Sequence, residues 1–347
     1  MPRAAFALAL IVALAAPVAR AGGEAASPLE RPSLRLRDPA HAPLLAVARC
    51  GGRTLLAAGA HGVVLRSVDD GRHWQQSATP TSHSLGALTC VGAGVGWAVG
   101  HGGVVLGTRD AGVSWRRQLD GRAAAELVRQ AAPAGPPRAE AERWVAEGAD
   151  KPLLDVLAWS ERDAIVIGAY GLALRTRDGG ASWASLVDCL PNPKRLHLYA
   201  AARAGTRIVI AGEQGLLLRS DDDGEHFERV ALPYEGSLFA AVLLDARTWL
   251  VAGLRGNAWA SVDGGASWTP LRPPSAAPAA AFVAAAAAGA GQALLLDQAG
   301  QRYRWPAPAP TLLRESASAA DPANGFAIAG DGALISVGDR GVVRASR

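Results

Sequence analysis

The 347-residue sequence predicts an all-β protein built from seven repeated units. Short apolar, β-branched and aromatic runs alternate with glycine-rich turns, without helical periodicity. One turn glycine recurs in every unit, and successive copies are 41, 68, 44, 41, 44 and 41 residues apart: Gly62, Gly103, Gly171, Gly215, Gly256, Gly300 and Gly341. A period of about 40 residues with four short strands is typical of a β-propeller blade. We therefore predict a seven-bladed β-propeller with four-stranded antiparallel blades.

A short polar motif follows the third strand of five units. It reads hydroxyl residue, any, Asp, any, Gly, any, any, aromatic, as in Ser67–Trp74 (SVDDGRHW). Hydroxyl and carboxylate oxygens accept backbone N–H bonds in a tight turn, glycine supplies a positive φ, and the aromatic ring packs between neighbouring sheets. Five copies on five blades indicate a structural role, which we predict for Ser67, Asp69, Gly71, Trp74, Thr108, Asp110, Gly112, Trp115, Thr176, Asp178, Gly180, Trp183, Ser220, Asp222, Gly224, Phe227, Ser261, Asp263, Gly265 and Trp268.

The two ends of the chain carry predictions of their own. Residues 1–21 combine an early arginine, an apolar run and small residues at the cleavage position, which is typical of a secretory signal peptide. We therefore expect residues 22–347 to form one exported propeller. The last unit stops where its fourth strand should begin, so we predict that residues 33–37, which alternate apolar and basic side chains, supply the outer strand of blade seven.

An insertion explains the long second interval. Residues 120–152, between blades two and three, are rich in Ala, Glu and Arg, and they predict one helix before Pro133 and another near residues 138–147. Its apolar stripe would consist of Leu127, Val128, Trp144 and Val145. Two interpretations stay open: the helices pack against the propeller, or they take part in binding.

Net charge, cysteine positions and metal-ligand spacing limit the kinds of site that the sequence predicts. The net charge of +4 falls to +2 without Arg3 and Arg20, and we predict no nucleic-acid partner. Cys50 and Cys90 occupy nearly equivalent positions in their blades, so a disulfide is conceivable, but we expect the three cysteines to be buried thiols. No metal-ligand spacing is present, and we predict neither a metal nor a cofactor.

Propeller geometry separates a candidate binding surface from the polar motif. Turns between second and third strands share a face with the links between blades, and we call this the mouth face; the polar-motif turns lie on the opposite face. Loops on such a face vary freely while the scaffold fixes their positions. We predict that the partner-binding residues are His61, Tyr170, Gln214, Arg255, Arg340 and, from the insertion, Trp144. Arg66, Arg175 and Arg219, which precede the motif hydroxyl, are a second candidate set that we expect to be solvated.

The polar motif matches the Asp-box, or BNR repeat, of sialidases and of several non-enzymatic propellers. The segments GEQGLLLRSDDDGEHF, GNAWASVDGGASW and DKPLLDV resemble the photosystem II stability and assembly factor family, and more narrowly its relatives in non-photosynthetic Gram-negative bacteria. The resemblance extends over about residues 41–347. It implies a seven-bladed, non-enzymatic propeller that binds a segment of a membrane-complex subunit.

The expected function is therefore a non-catalytic interaction or assembly factor. We expect a periplasmic monomer, at most peripheral to the membrane, whose partner is a protein such as a membrane-complex subunit or a transporter. We expect no catalytic residues. The alternative is a sialidase-like glycan-binding protein or glycoside hydrolase, which would need an arginine cluster and a tyrosine nucleophile. The chain has only four tyrosines, Tyr170, Tyr199, Tyr234 and Tyr303, and lacks a GxSxG motif.

Overall fold

The computed structural model describes residues 26–92, 94–273, 280–289, 291–315 and 321–345, which form seven antiparallel sheets. The predicted all-β, seven-bladed propeller is confirmed. The predicted signal peptide, residues 1–21, lies outside the described residues and stays a prediction. In each sheet the strands follow one another in chain order from the central channel outwards. Successive innermost strands are neighbours, and the ring closes where blade seven meets blade one.

The first four blades have four strands each. Blade one comprises β1 (Leu44–Arg49), β2 (Leu55–Gly59), β3 (Val64–Ser67) and β4 (Gln75–Ser77). Blade two comprises β5 (Leu85–Val91), β6 (Val95–Gly100), β7 (Val105–Thr108) and β8 (Arg116–Leu119). Blade three comprises β9 (Leu153–Ala158), β10 (Ala164–Gly168), β11 (Ala173–Thr176) and β12 (Ala184–Ser185). Blade four comprises β13 (Leu198–Ala204), β14 (Arg207–Gly212), β15 (Leu217–Ser220) and β16 (Glu228–Arg229).

The last three blades differ in strand number. Blade five comprises β17 (Leu238–Leu243), β18 (Trp249–Gly253), β19 (Ala258–Ser261) and β20 (Thr269–Leu271). Blade six comprises β21 (Phe282–Ala287), β22 (Gln292–Asp297), β23 (Arg302–Pro306) and β24 (Leu313–Arg314). Blade seven comprises, among the described residues, β25 (Gly325–Ile328), β26 (Leu334–Gly338) and β27 (Gly341–Ala345).

The prediction that residues 33–37 form the fourth strand of blade seven is wrong. This segment has no strand structure, and the described part of blade seven has three strands. Its backbone turns towards blade one instead: the N–H of Ser33 donates to the carbonyl of Thr79 at 3.0 Å, and the N–H of Leu34 donates to that of His61 at 3.2 Å. Because these amides bond to blade one, they are not available to pair with β27.

Side chains close the ring between blades seven and one. The Asp70 carboxylate accepts a hydrogen bond from the backbone N–H of Gly330 at 2.9 Å, and Arg72 pairs with Asp331 at 2.8 Å. Asn324 donates its side-chain amide to the carbonyl of Leu44 at 3.0 Å. The buried side chain of Ile335 packs with Leu55, Val47 and Trp74. Polar pairs and an apolar seam therefore hold the two ends together.

The insertion forms two helices, α1 (Gly121–Ala131) and α2 (Pro136–Glu147). Asp120 caps α1 by accepting backbone N–H bonds from Arg122 and Ala123, and α2 begins at a proline, where a missing N–H costs nothing. The buried faces include Ala124, Val128 and Trp144, which join the core of blades two and three. Leu127 is partly buried, but Val145 is 41% exposed, so its assignment to the apolar stripe is wrong.

The expectation of three buried thiols is also wrong. Cys50 and Cys90 form a disulfide, and Cys189 is exposed. Cys50 follows β1 and Cys90 lies in β5, the innermost strands of neighbouring blades. Their Cα atoms are 5.0 Å apart, which is within the range that a disulfide spans. Equivalent positions in adjacent inner strands thus come close enough to be bridged.

The five polar motifs share one hydrogen-bond pattern. In the first, the Ser67 hydroxyl donates to Oδ1 of Asp69 at 2.8 Å and accepts from the N–H of Gly71 at 2.9 Å, while Asp69 accepts from the N–H of His73 at 3.0 Å. The other four hydroxyl-to-carboxylate bonds are 2.8 to 2.9 Å long. The bonds fold the turn around the carboxylate and support the predicted structural role.

Each motif also contacts the preceding blade. Trp115 of blade two packs with Leu56 and Val64 of blade one. A Cβ at Gly112, where φ is 82°, would lie 2.4 Å from Cδ2 of Leu56, so this position needs glycine for both conformation and space. Trp183 of blade three packs in the same way against Trp97 of blade two. The aromatic residues therefore fill the wedges between sheets.

Candidate binding surface at the channel mouth

The mouth face carries a row of strained turn residues. In blades one, three, four and five, the residue before the aligned glycine has a positive φ, of 53°, 57°, 53° and 56°, in His61, Tyr170, Gln214 and Arg255. Blade two uses Gly102 at the corresponding position, with φ 66°. The left-handed conformation costs a non-glycine residue about 1 to 2 kcal/mol. All four side chains are exposed, and Tyr170 is 50% exposed, so the strain is not offset by burial of the side chain.

The predicted partner-binding residues lie around the mouth and do not form one cluster. Arg340 occupies the corresponding turn of blade seven, between β26 and β27, and pairs with Asp321 at 2.8 Å. His61 lies where residues 33–37 cross blade one. Gln214 and Tyr234 line a separate cavity of about 510 Å³ beside blade four, at its link to blade five. Only Trp144 and Tyr170 come together.

A buried lysine joins Trp144 to Tyr170. Nζ of Lys151 lies 5.3 Å from the centroid of the Trp144 ring and 5.4 Å from that of Tyr170, within the range of a cation–π interaction. It donates hydrogen bonds to Glu147 at 2.6 Å and to Asp150 at 2.8 Å. Burial opposes the charge, but these two carboxylates keep the pKa of Lys151 above its ordinary value. The end of α2 is thereby fixed to the rim of the mouth.

Aromatic rings continue from this rim into the channel. The ring centroids of Tyr170 and His197 are 5.0 Å apart, those of His197 and Tyr199 are 6.0 Å apart, and those of Tyr199 and Phe239 are 5.0 Å apart. Such distances are typical of interacting aromatic pairs. We call Tyr170, His197, Tyr199 and Phe239 the aromatic row. It crosses three blades and forms a continuous series of aromatic contacts from the rim to the channel wall.

Bulges in the innermost strands determine which residues line the channel near the mouth face. In each of the first six blades the pairing register shifts by one residue near the mouth end of the inner strand, which leaves one extra residue unpaired. A bulge re-aims a side chain without disturbing the rest of the sheet. The extra residues all line the central cavity of about 290 Å³: Leu45, Gly86, Leu154, Tyr199, Phe239 and Val283.

The residue that follows each bulge also lines the channel, and at this position Asp155 differs from the residues of the other blades. Five of the other inner strands have alanine at this position: Ala46, Ala87, Ala200, Ala240 and Ala284. Oδ1 of Asp155 accepts the N–H of Val156, and Oδ2 accepts the N–H of Ala201 in the next blade, both at 2.8 Å. Burial raises the pKa of Asp155 to about 6, and the two backbone hydrogen bonds only partly oppose that rise. Among the described residues that line the channel, Asp155 is the one acidic side chain.

Lys151, Asp155, His197, Tyr199 and Phe239 were not among the predicted site residues. Asp155 left a signal in the sequence, because an alignment of the inner strands places it against alanines. The contacts of Lys151 and His197 left none, since they depend on how the insertion and the links between blades fold over the mouth face. The predicted partner-binding set and the structural motif set both stay predictions.

Other kinds of site find little support in the described part of the chain. No group of three or more His, Cys, Asp or Glu side chains there is arranged to hold a metal ion. None of its helices is both long and apolar enough to cross a membrane. The described residues that line the channel include no arginine, so the channel does not supply the arginine cluster that a sialidase needs.

Comparison with known proteins points to one family. Residues 137–269 match the family model described as photosynthesis system II assembly factor YCF48. The chain is also 29% identical, over 117 residues, to the photosystem II assembly lipoprotein Ycf48 of Synechococcus sp. (strain CC9902). The chain is therefore similar to photosystem II assembly factors over this region. The alignment covers 33% of this chain and 35% of the relative, so the chain spans about a third of the length of the curated relative that it matches.

Solved structures share the fold of this chain. YCF48 bound to D1 peptide superposes with a TM-score of 0.64 at 17% identity, covering 91% of this chain and 99% of that one. YCF48 from Cyanidioschyzon merolae gives a TM-score of 0.62 at 16% identity, covering 88% and 95%. Streptogramin B lyase gives 0.66 at 11% identity, covering 91% and 98%. An enzyme therefore has the same architecture, and shape alone does not separate binding from catalysis.

Proposed function

We propose that this protein is an exported, non-catalytic assembly factor that binds a segment of a membrane-complex subunit through its mouth face. The observation that carries the proposal is the exposed Tyr170, which is held in a strained turn, anchored by Lys151 to the helical insertion and continued by the aromatic row. Exposed aromatic side chains on a rigid scaffold are typical of the residues that dominate binding energy at protein interfaces.

The comparisons support a protein partner. A relative of the same fold has been solved with a bound D1 peptide, and the family model describes an assembly factor. Transferred to this chain, these facts favour capture of a polypeptide segment over turnover of a substrate. The aromatic row offers a contact that such a segment can follow from the rim into the channel.

Site-specific crosslinking tests where the partner binds. A photo-reactive phenylalanine analogue placed at Tyr170, in the full chain expressed in its own host, should crosslink to a subunit of a membrane complex. The matched control is the same analogue at Val262, which is 47% exposed and lies in a polar-motif turn on the opposite face. Crosslinking from Val262 alone, or equal crosslinking from both positions, would contradict the proposed face.

Tyr170→Gly then separates binding from folding. Glycine adopts the native φ of 57° without strain, so we expect a thermal midpoint within a few degrees of the wild-type value. Loss of the ring should weaken binding of the crosslinked segment at least tenfold. A variant that is stable and binds the segment normally would show that Tyr170 is not part of the interface.

Export is the second part of the proposal. The predicted signal peptide supports it, and so does the disulfide between Cys50 and Cys90, because disulfides persist in oxidising compartments such as the bacterial periplasm. Mass spectrometry of the protein from a periplasmic fraction should find a chain that begins at Gly22. An uncleaved chain recovered from the cytoplasm would contradict export.

A further inference from the structure

We propose that the central channel binds the side chain of a lysine from the captured polypeptide, with its ammonium group on Asp155 and its alkyl stem against the aromatic row. The inference rests on the proposed partner-binding function and specifies the chemistry of the partner. Asp155, Tyr199 and Phe239 all line the same solvent-open cavity of about 290 Å³. Such a volume holds one side chain and not a folded element.

The sequence of the channel wall shows that the bulged inner strand does not require an acid at the position of Asp155. Five inner strands have alanine at its position, and each of them forms the same bulged pairing with its neighbour. An ionised carboxylate that is largely withdrawn from water carries a desolvation penalty that alanine avoids. A charged residue kept at such a site is a candidate for recognition of an opposite charge.

Asp155 accepts two backbone hydrogen bonds, which do not use its full capacity as an acceptor. Each carboxylate oxygen accepts one backbone N–H bond, from Val156 and from Ala201. A carboxylate has about four acceptor sites, so about two remain. Among the described residues that line the channel, none is a lysine or an arginine that could form an ion pair with Asp155. A ligand is therefore the available source of positive charge.

The aromatic rings beside Asp155 suit a cation on an apolar stem. Tyr199 lies two residues before Ala201, whose N–H bonds to Asp155, and the Tyr199 ring packs edge-on against Phe239. The faces of aromatic rings attract cations, and their apolar surface packs against methylene groups. Carboxylate, rings and alanines together match an ammonium group at the end of a hydrocarbon chain.

The hydrogen bonds of Asp155 favour lysine over arginine. A guanidinium binds a carboxylate best through two parallel bonds, one to each oxygen. Here both oxygens already accept a backbone N–H, which takes up part of the in-plane approach. An ammonium group is a compact charge that needs no paired geometry, so it fits the remaining acceptor sites.

The test uses small probes and the full chain, and needs no partner protein. N-acetyl-lysine N-methylamide should bind at least tenfold more tightly than N-acetyl-norleucine N-methylamide, which has nearly the same stem without the ammonium group. Titration followed by NMR measures both affinities. Asp155→Ala should remove the preference for lysine. Glu235→Gln removes an exposed acid that lines the neighbouring cavity and not the channel, and it should leave the preference unchanged.

Three results would overturn the proposal. The first is equal binding of the two probes, and the second is a lysine preference that survives in Asp155→Ala. Should Asp155→Ala fail to fold, Asp155→Asn and Tyr199→Leu decide the question in the same way: each should weaken lysine binding, and unchanged affinity contradicts the site. The third is tenfold tighter binding of free n-butylamine than of the lysine probe, which would assign the channel to small amines instead of a polypeptide.

The two proposals fail separately. Normal lysine binding with no crosslink from Tyr170 would leave the channel site intact and contradict the proposed function. A partner crosslinked from Tyr170, together with equal binding of the two probes, would leave the proposed function intact and contradict the channel site.

Discussion

At the scale of single residues, the polar-motif aspartates show how a carboxylate stabilises a turn. Oδ2 of Asp178 accepts the hydroxyl of Ser182 at 2.6 Å, while Oδ1 accepts its N–H at 2.9 Å. These bonds, followed by the bond from Thr176, lower the pKa of Asp178 to about 2, and the corresponding bonds of Ser267 and Ser261 lower that of Asp263 to about 2. The native turn therefore prefers the ionised form.

This preference predicts a loss of stability in acid. The pKa of Asp178 in the folded protein is lower than its ordinary value of 3.8, so its stabilising effect is complete above about pH 4 and is lost as the pH falls towards 2. Asp178→Asn should lower the thermal midpoint at pH 7 and converge on the wild-type value near pH 2. Asp339→Asn, at an exposed position, is the control. A midpoint difference for Asp178→Asn that stays constant between pH 7 and pH 2 would contradict this explanation.

The residue scale also shows where sequence reasoning reached its limit. The strained turn positions of Tyr170 and Arg255 follow from the repeat, because they precede an aligned glycine. The link from Trp144 through Lys151 to Tyr170 does not follow, because it depends on how far the insertion folds back over blade three. Asp155 lies between these cases: the repeat alignment exposes it as an exception, but only the structure places it in the channel wall.

At the scale of elements, the helical insertion is part of the core. The alternatives of packing and binding are not exclusive, since α1 and α2 bury Val128 and Trp144 in the core of blades two and three while the end of α2 supports the mouth rim. The positions of both helices were predictable from composition and from the proline between them. The buried face was only partly predictable, because adjacent residues such as Trp144 and Val145 differ in burial by their position around α2.

Trp144 and Val145 provide a matched pair of substitutions. Trp144 is 6% exposed, so Trp144→Ala should lower the free energy of unfolding by about 3 kcal/mol through lost apolar contacts and a residual cavity. Val145→Ala, at a 41% exposed position on the same helix, should change it by less than about 0.5 kcal/mol. Urea denaturation followed by far-UV circular dichroism measures both. Equal effects of the two substitutions would show that the insertion does not belong to the cooperative core.

At the scale of the whole molecule, the repeat predicts the number of blades but not how the ring closes. The period and the turn chemistry are local, and they determine seven sheets. The path of residues 33–37 was not predictable, because their hydrogen bonds to blade one outweigh the strand preference of their alternating pattern. The disulfide could not be predicted either, because near-equivalent positions in the repeat do not by themselves give the distance between inner strands.

The disulfide predicts how the ring responds to reduction. Cys50 and Cys90 are 40 residues apart, and closing a loop of that length should stabilise the fold by about 2 to 4 kcal/mol. The Cys50→Ala/Cys90→Ala variant, and the reduced wild-type protein, should unfold at a lower urea concentration. Cys189→Ala is the control, because this exposed thiol closes no loop. An unchanged midpoint after full reduction would mean that packing between blades one and two gives the observed stability without the disulfide.

The repeated bulge has a consequence for how such proteins diversify. The extra residue of each inner strand lies outside the hydrogen-bonded ladder, so its identity is free of the pairing rules that constrain its neighbours. Six blades thus offer six independent sites for substitution, and here they range from glycine to tyrosine. Substitutions at these sites can change binding specificity one blade at a time without altering the hydrogen-bonded sheets.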